Sequence, residues 1–286
     1  MTSSLTDPAS FRDPSGFVFR DAGGVLCRQV NRCYEANYRQ LMDSGLYAEL
    51  VKNGLLIEHE ELPVGSELSG DAAFVLRPEE LRFISYPYEW PFSALKEAAL
   101  LTLDIQQRAM KAGMSLKDAS AYNVQFRGAQ AVFIDTLSFE SHRAGEPWSA
   151  YGQFCRHFLA PLTLMAKRDI SLGRLLSVHL DGIPLDLAVK LLPTTTCWNP
   201  RTLMHIVLHA KLTSRYSNTT EPSKKERVRT RKVSKDALSG IVSSLKNAVS
   251  SLHYDASWTE WADYYENNSY TSDGLDGKSE IGRAHV

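Results

Sequence analysis

The sequence predicts an α+β fold, a small strand-rich part followed by a larger helical one. Three observations carry that reading. Short apolar or alternating runs bounded by Gly, Pro and Asp fill residues 16–86. One long helical period begins near Ser93, and beyond Trp148 the apolar spacing is helical almost throughout.

Residues 1–16 are polar, carry Pro8 and Pro14, and read as a loose lead-in. Gly16–Phe19 and Val25–Val30 flank Arg20-Asp-Ala-Gly-Gly24, which is a strand, a turn and a second strand. Tyr34, Tyr38, Leu41 and Met42 recur at helical spacing until Ser44-Gly45 breaks the pattern. Short strands are expected at Leu55–Glu60, Ala73–Leu76 and Arg82–Tyr86, with Pro87 and Pro91 marking a crossing. Ser93 has the chemistry of an N-cap for a helix buried through Leu95, Ala98, Ala99, Thr102, Ile105 and Ala109 and ended by Gly113. Asn123–Phe126 and Ala131–Ile134 form a hairpin around Arg127-Gly128-Ala129. Helices are expected over 149–168, 171–177, 184–191, 200–213 and 234–252.

Composition narrows the function classes. Hydrophobic residues at 43% and charged residues at 23% describe an ordinary globular chain, and 286 residues suffice for a core without disulfide or metal staples. With 32 basic and 33 acidic residues, the net charge of −1 gives no global case for a nucleic-acid or membrane partner. Four cysteines without C-x-x-C spacing, no signal-peptide pattern and no apolar run of spanning length lead to a cytoplasmic expectation. Seven of the twelve residues from Lys224 to Lys235 are basic, but no aromatic residues interleave to stack on bases. A solvated linker is the simpler reading of that run.

The chemistry concentrates between Ser115 and Phe139. Asp118 and Asn123 lie at the exit of the long helix, and Asp135 follows at the end of an apolar strand. Such an oxygen-rich set suits Mg²⁺, which takes one or two carboxylates together with substrate phosphates. The constellation resembles the protein-kinase-like superfamily, and Phe133-Ile-Asp-Thr136 looks closest to its small-molecule kinase branch. The resemblance implies a two-lobe fold over residues 17–213, with a β-rich N-lobe, a hinge at Tyr86–Trp90 and an α-helical C-lobe. It implies Asp118 as base, Asn123 and Asp135 as Mg²⁺ ligands, and Mg–ATP as cofactor. Two features depart from the family pattern. Asp21-Ala-Gly-Gly24 is too poor in glycine for a phosphate loop, and Arg28 is the nearest cation to the expected strand lysine, with Glu49 as its candidate partner.

A second resemblance rests on Phe83–Phe92, Leu116–Phe139, Ala150–Leu162 and the segment from Ser257-Trp-Thr-Glu-Trp261 to Lys278. Together these look like the N-terminal portion of bacterial class I S-adenosylmethionine-dependent methyltransferases, some of nodulation type. The resemblance implies a basic linker and amphipathic helix over 214–256, then at 257–279 the start of a Rossmann-type half. The S-adenosylmethionine loop would follow Lys278. The final residues, Glu280–Val286, admit a back-translation into a sequencing adapter, so a frame truncated near residue 279 is expected. The expected partners are an unnamed small-molecule acceptor and the missing C-terminal half of the same chain, with no membrane or nucleic acid. The expected function is that of a methyltransferase-type transferase fragment carrying a degenerate kinase-like module, with a small-molecule phosphotransferase and a pseudokinase scaffold as alternatives. His205-x3-His209 lacks a third metal ligand, and Arg156-His157 reads as a satisfied, half-buried pair.

Overall fold

The computed structural model describes residues 13–63, 70–193, 205–206 and 233–254. The expected basic linker and the aromatic segment 257–279 lie outside the described residues, as does most of the expected helix 200–213. The chain divides after Leu252 into a unit of residues 1–252 and a second of residues 253–286.

The first strands pair as expected. β1 (Gly16–Arg20) and β2 (Leu26–Asn31) form an antiparallel hairpin. Its turn is closed by Asp21, whose Oδ1 accepts from the N–H groups of Gly23 (2.8 Å) and Val25 (2.9 Å). At the far end Gly16 is required by space, since a Cβ there would sit 2.0 Å from the Gln29 carbonyl oxygen. β3 (His59–Glu61) and β4 (Ala72–Pro78) complete a four-stranded sheet in the order β1-β2-β4-β3. Between the hairpin and β3 stand α1 (Glu35–Asp43) and α2 (Leu46–Lys52), separated by Gly45 at φ 76°.

Strand alternation gives the sheet two faces. Phe19, Cys27 and Val75 cluster on one. Val18, Arg28 and Leu76 are cross-strand neighbours on the other, so a buried strand carries its cation towards the rest of the chain.

α3 (Phe92–Lys111) buries the stripe that the sequence marks, from Leu95 to Ala109. It starts two residues earlier than expected: Pro91, not Ser93, is the N-cap, and its carbonyl accepts from Leu95 N–H at 3.1 Å. β5 (Met114–Leu116) follows, then the hairpin of β6 (Val124–Arg127) and β7 (Gln130–Phe133), turned by Gly128 at φ 62°. β8 (Phe139–Ser141) returns to pair with β5.

Two strand expectations are corrected. Only His59–Glu61 of the Leu55–Glu60 region is ladder; its first part instead exchanges bonds with β7, Ile57 N–H to Phe133 O (2.8 Å) and Phe133 N–H to Leu55 O (2.9 Å). Arg82–Tyr86 is not a strand. Its backbone pairs with a side chain instead: buried Gln125 accepts from Ser85 N–H (3.0 Å) and donates to Ser85 O (2.9 Å). A strand-like pattern cannot distinguish those two partners.

The helical region comprises α4 (Tyr151–Phe154), a π-turn at Cys155–Leu159, α5 (Ala160–Lys167), α6 (Leu175–Val178) and α7 (Leu185–Leu191). The π-turn has a local cause. Ala160 N–H bonds back to Cys155 O, and Pro161 has no N–H to give to Arg156 O. That carbonyl is met from outside the helix, by Ile183 N–H at 3.0 Å. Gly182, at φ 86°, permits the close approach. α8 (Lys235–Ser250) packs along α3, with Lys246 reaching Asp104 (3.2 Å) and Lys96 capping the carbonyls of Ser250 and Leu252. No helix among the described residues is long and apolar enough to cross a membrane.

Candidate functional site

Four residues singled out from sequence converge here. Arg28 arrives from the middle of β2, and its Nη2 lies 2.8 Å from Oδ1 of Asp135. Both side chains are about five-sixths withdrawn from solvent, at 17% and 15% exposure, so the pair is far less screened than a surface bridge. Asp135 ends the β6–β7 hairpin and caps the short 3₁₀ turn Thr136–Ser138: Oδ1 accepts from Leu137 N–H (3.1 Å) and Oδ2 from the Ser138 hydroxyl (2.5 Å).

Asn123 joins the same network from the other side. Its side-chain amide donates to Ser138 Oγ at 3.1 Å, and its backbone carbonyl accepts from Ile134 N–H at 2.8 Å. Asp118 stands on the loop after β5, its Oδ1 accepting from Ser120 N–H at 2.8 Å. Burial pushes the Asp118 carboxyl above the usual carboxylate range, the nearby Asp135 charge adds to the effect, and the amides of Gln153 and Asn123 oppose it. Gln153 also fixes the loop, accepting from Ala119 N–H at 2.8 Å. The site is therefore one cation, two carboxylates and an amide joined by a serine.

Glu49 does not partner Arg28. It pairs instead with Arg108 on α3. Lys117, the residue before Asp118, donates from Nζ to Ser15 Oγ (2.6 Å) and lies 4.8 Å from the centre of the Tyr34 ring.

The fit to Mg²⁺ can be tested on these donors. Both Asp135 oxygens already accept protein hydrogen bonds, one of them beside a guanidinium, and the Asn123 amide is turned towards Ser138 through its N–H. Oδ1 has both lone-pair directions occupied, by Arg28 and the Leu137 N–H, which leaves Oδ2, already bonded to Ser138, as the one Asp135 oxygen with room for a further partner. As arranged, Asp135 is a poorer metal ligand than a free carboxylate.

Comparison with known proteins adds a relative. No family model matches the chain. Over 266 residues it is 36% identical to nodulation protein NoeA of Rhizobium meliloti (strain 1021). The chain resembles a nodulation protein. That match takes in 92% of this chain but 55% of NoeA, so the chain spans about half the length of the curated relative it matches. A solved structure, vaccinia related kinase 3, superimposes with a TM-score of 0.36 at 11% identity, covering 63% of this chain and 76% of that one.

Sequence reasoning passed over Ser138 and Gln153. A lone serine without a G-x-S-x-G context and an uncharged glutamine on a later helix carry no motif. The other candidates are structural. Cys155 is buried and its thiol is pushed up to about 12 by that burial. His205 bridges Tyr151 (2.8 Å) and Ser244 (2.9 Å), while His209 lies outside the described residues. His157 is buried rather than half-buried, and its Nδ1 has no partner among the described residues, so this pair is not satisfied as expected.

Proposed function

We propose that the described residues form a kinase-like module that no longer transfers phosphate and serves the parent protein by binding. One observation carries this reading: the Asp135 carboxylate is closed by Arg28, Ser138 and the Leu137 amide, which are the contacts a phosphate-bridging metal would have to displace. The tight Asp21 turn supports it, since the amides of Gly23 and Val25 are spent on Asp21 rather than offered to a phosphate. The order of elements is also that of a kinase-like chain: sheet, long helix, Asp118–Asn123 loop, hairpin, Asp135.

The parent is proposed to be a methyltransferase-class nodulation protein, a reading supported by the 36% identity to NoeA together with the sequence resemblance. On that reading, S-adenosylmethionine and the methyl acceptor belong to the remaining part of the full-length protein.

The test is turnover. Purified protein is incubated with radiolabelled Mg–ATP, and phosphate release and phosphoryl transfer are followed in wild type, Asp118→Asn and Asp135→Asn. The proposal expects no turnover in wild type above that of the two variants. Turnover lost in both variants would show a working phosphotransferase and end this reading.

A further inference from the structure

The contacts that close Asp135 are of two kinds. Those from Leu137 N–H and the Ser138 hydroxyl come from two and three residues further along the chain and belong to the 3₁₀ turn that Asp135 caps. A carboxylate that holds a metal also accepts hydrogen bonds from neighbouring protein groups, so these contacts orient Asp135 without excluding a cation. Arg28 is different. It comes from β2 and brings a full positive charge to 2.8 Å from Oδ1.

The surroundings give that charge a role. Asp118 and Asp135 lie close enough for the Asp135 charge to help raise the Asp118 carboxyl. Asn123 links them, its amide opposing that rise at Asp118 and donating to Ser138, which in turn bonds Asp135. Two carboxylates and an amide are donor types that suit a hard divalent cation, which completes its shell with water. With Arg28 in place, the guanidinium neutralises one of the carboxylates, takes a lone-pair direction of Oδ1 and repels an incoming cation. Both partners of the pair are largely withdrawn from solvent, so screening weakens that repulsion little.

The bridge is also incomplete as a structural one. Arg28 Nε is buried and has no hydrogen-bond partner among the described residues, so the fork that makes arginine–carboxylate pairs strong is not used in full. Charge placed at the carboxylate, rather than a saturated set of hydrogen bonds, is what this side chain contributes.

We propose that Arg28 is a built-in counter-cation: it takes the charge position of a divalent metal at Asp135, and Asp118, Asn123 and Asp135 become a divalent-cation site once that charge is withdrawn. The inference rests on the reading that the module does not transfer phosphate, deepens it by naming the residue that closes the site, and is tested without nucleotide.

The probe is Mn²⁺ alone, followed by the electron paramagnetic resonance signal of the free ion. Wild type is expected to leave that signal unchanged up to millimolar metal. Arg28→Gln, which keeps a polar side chain but removes the charge, is expected to bind Mn²⁺ about tenfold more tightly than wild type or better. Adding Asp135→Asn to it is expected to abolish that binding. Melting curves read the same event independently: Mn²⁺ should raise the melting temperature of Arg28→Gln and not that of wild type, because a ligand held only by the folded state stabilises it. If Arg28→Gln does not fold by circular dichroism, Arg28→Met takes its place. A folded Arg28 variant that takes up no Mn²⁺, or uptake that survives Asp135→Asn, would overturn the inference and leave the absence of phosphate transfer untouched. Mn²⁺ bound by wild type and lost in Asp135→Asn would overturn it as well, since Arg28 would then not exclude the metal. Asp135-dependent ATP turnover by wild type is the separate result that ends the earlier reading.

Discussion

Arg28 and Asp135 form a bridge that is costly to break from one side only. Removing the guanidinium leaves a carboxylate in a largely enclosed site, and such one-sided losses cost about 3 kcal/mol. Arg28→Met should lower unfolding free energy by that order in urea titrations, and Arg28→Met with Asp135→Asn should recover most of the loss. Additive penalties in the double-mutant cycle would show that the two side chains do not act as a pair. Asp118 behaves oppositely. Its folded carboxyl is raised by burial, so its contribution is fully present below the unfolded value near 3.9 and is lost as pH rises through the folded one. At pH 7 the ionised side chain is therefore a burden, and Asp118→Asn should raise the melting temperature there, where 1 kcal/mol corresponds to about 2–4 °C. A lower melting temperature at pH 7 would contradict the buried-carboxylate assignment.

At the level of elements, local pattern and tertiary partners contributed differently to what could be read. The α3 stripe, the β1–β2 and β6–β7 hairpins and α8 follow from apolar spacing with Gly or Ser punctuation, because each closes its own bonds or buries one continuous face. The pairing of β5 with β8 was not legible, since three-residue strands carry too little pattern and their partner lies past a whole hairpin. Asp118, Asn123 and Asp135 were legible as one constellation through their order, whereas the closing of Asp135 by Ser138 needed the turn geometry. The segment before Tyr86 failed for a third reason: its strand partner is the Gln125 side chain. Gln125→Ala leaves Ser85 N–H and C=O without these partners, and should cost about 2 kcal/mol. Hydrogen exchange should then rise across residues 82–90 with little change in α3. Unchanged protection of Ser85 would show that the amide clamp does not hold this segment.

For the 1–252 unit as a whole, acid tolerance depends on imidazoles that the fold keeps neutral. His59 and His157 are each lowered to about 4, chiefly by burial. Their contribution is therefore complete above the unfolded value near 6.5 and is lost as pH falls towards 4, on the order of a few kcal/mol for the two together. Asp118 works in the opposite direction at the acid end of that window. Urea unfolding at pH 7 and pH 4.5 should show a smaller loss for His59→Gln with His157→Gln than for wild type. Equal losses would mean that neither histidine is held neutral.

Asp135 is either a metal ligand or the partner of Arg28. Calorimetric titration of Mg–ATP into the wild-type chain and into Asp135→Ala decides between them. The structure predicts no heat of binding in wild type up to millimolar nucleotide, because the carboxylate is already engaged by protein donors and the amides of the Asp21 turn are spent on Asp21. Micromolar binding in wild type that disappears in Asp135→Ala would contradict it.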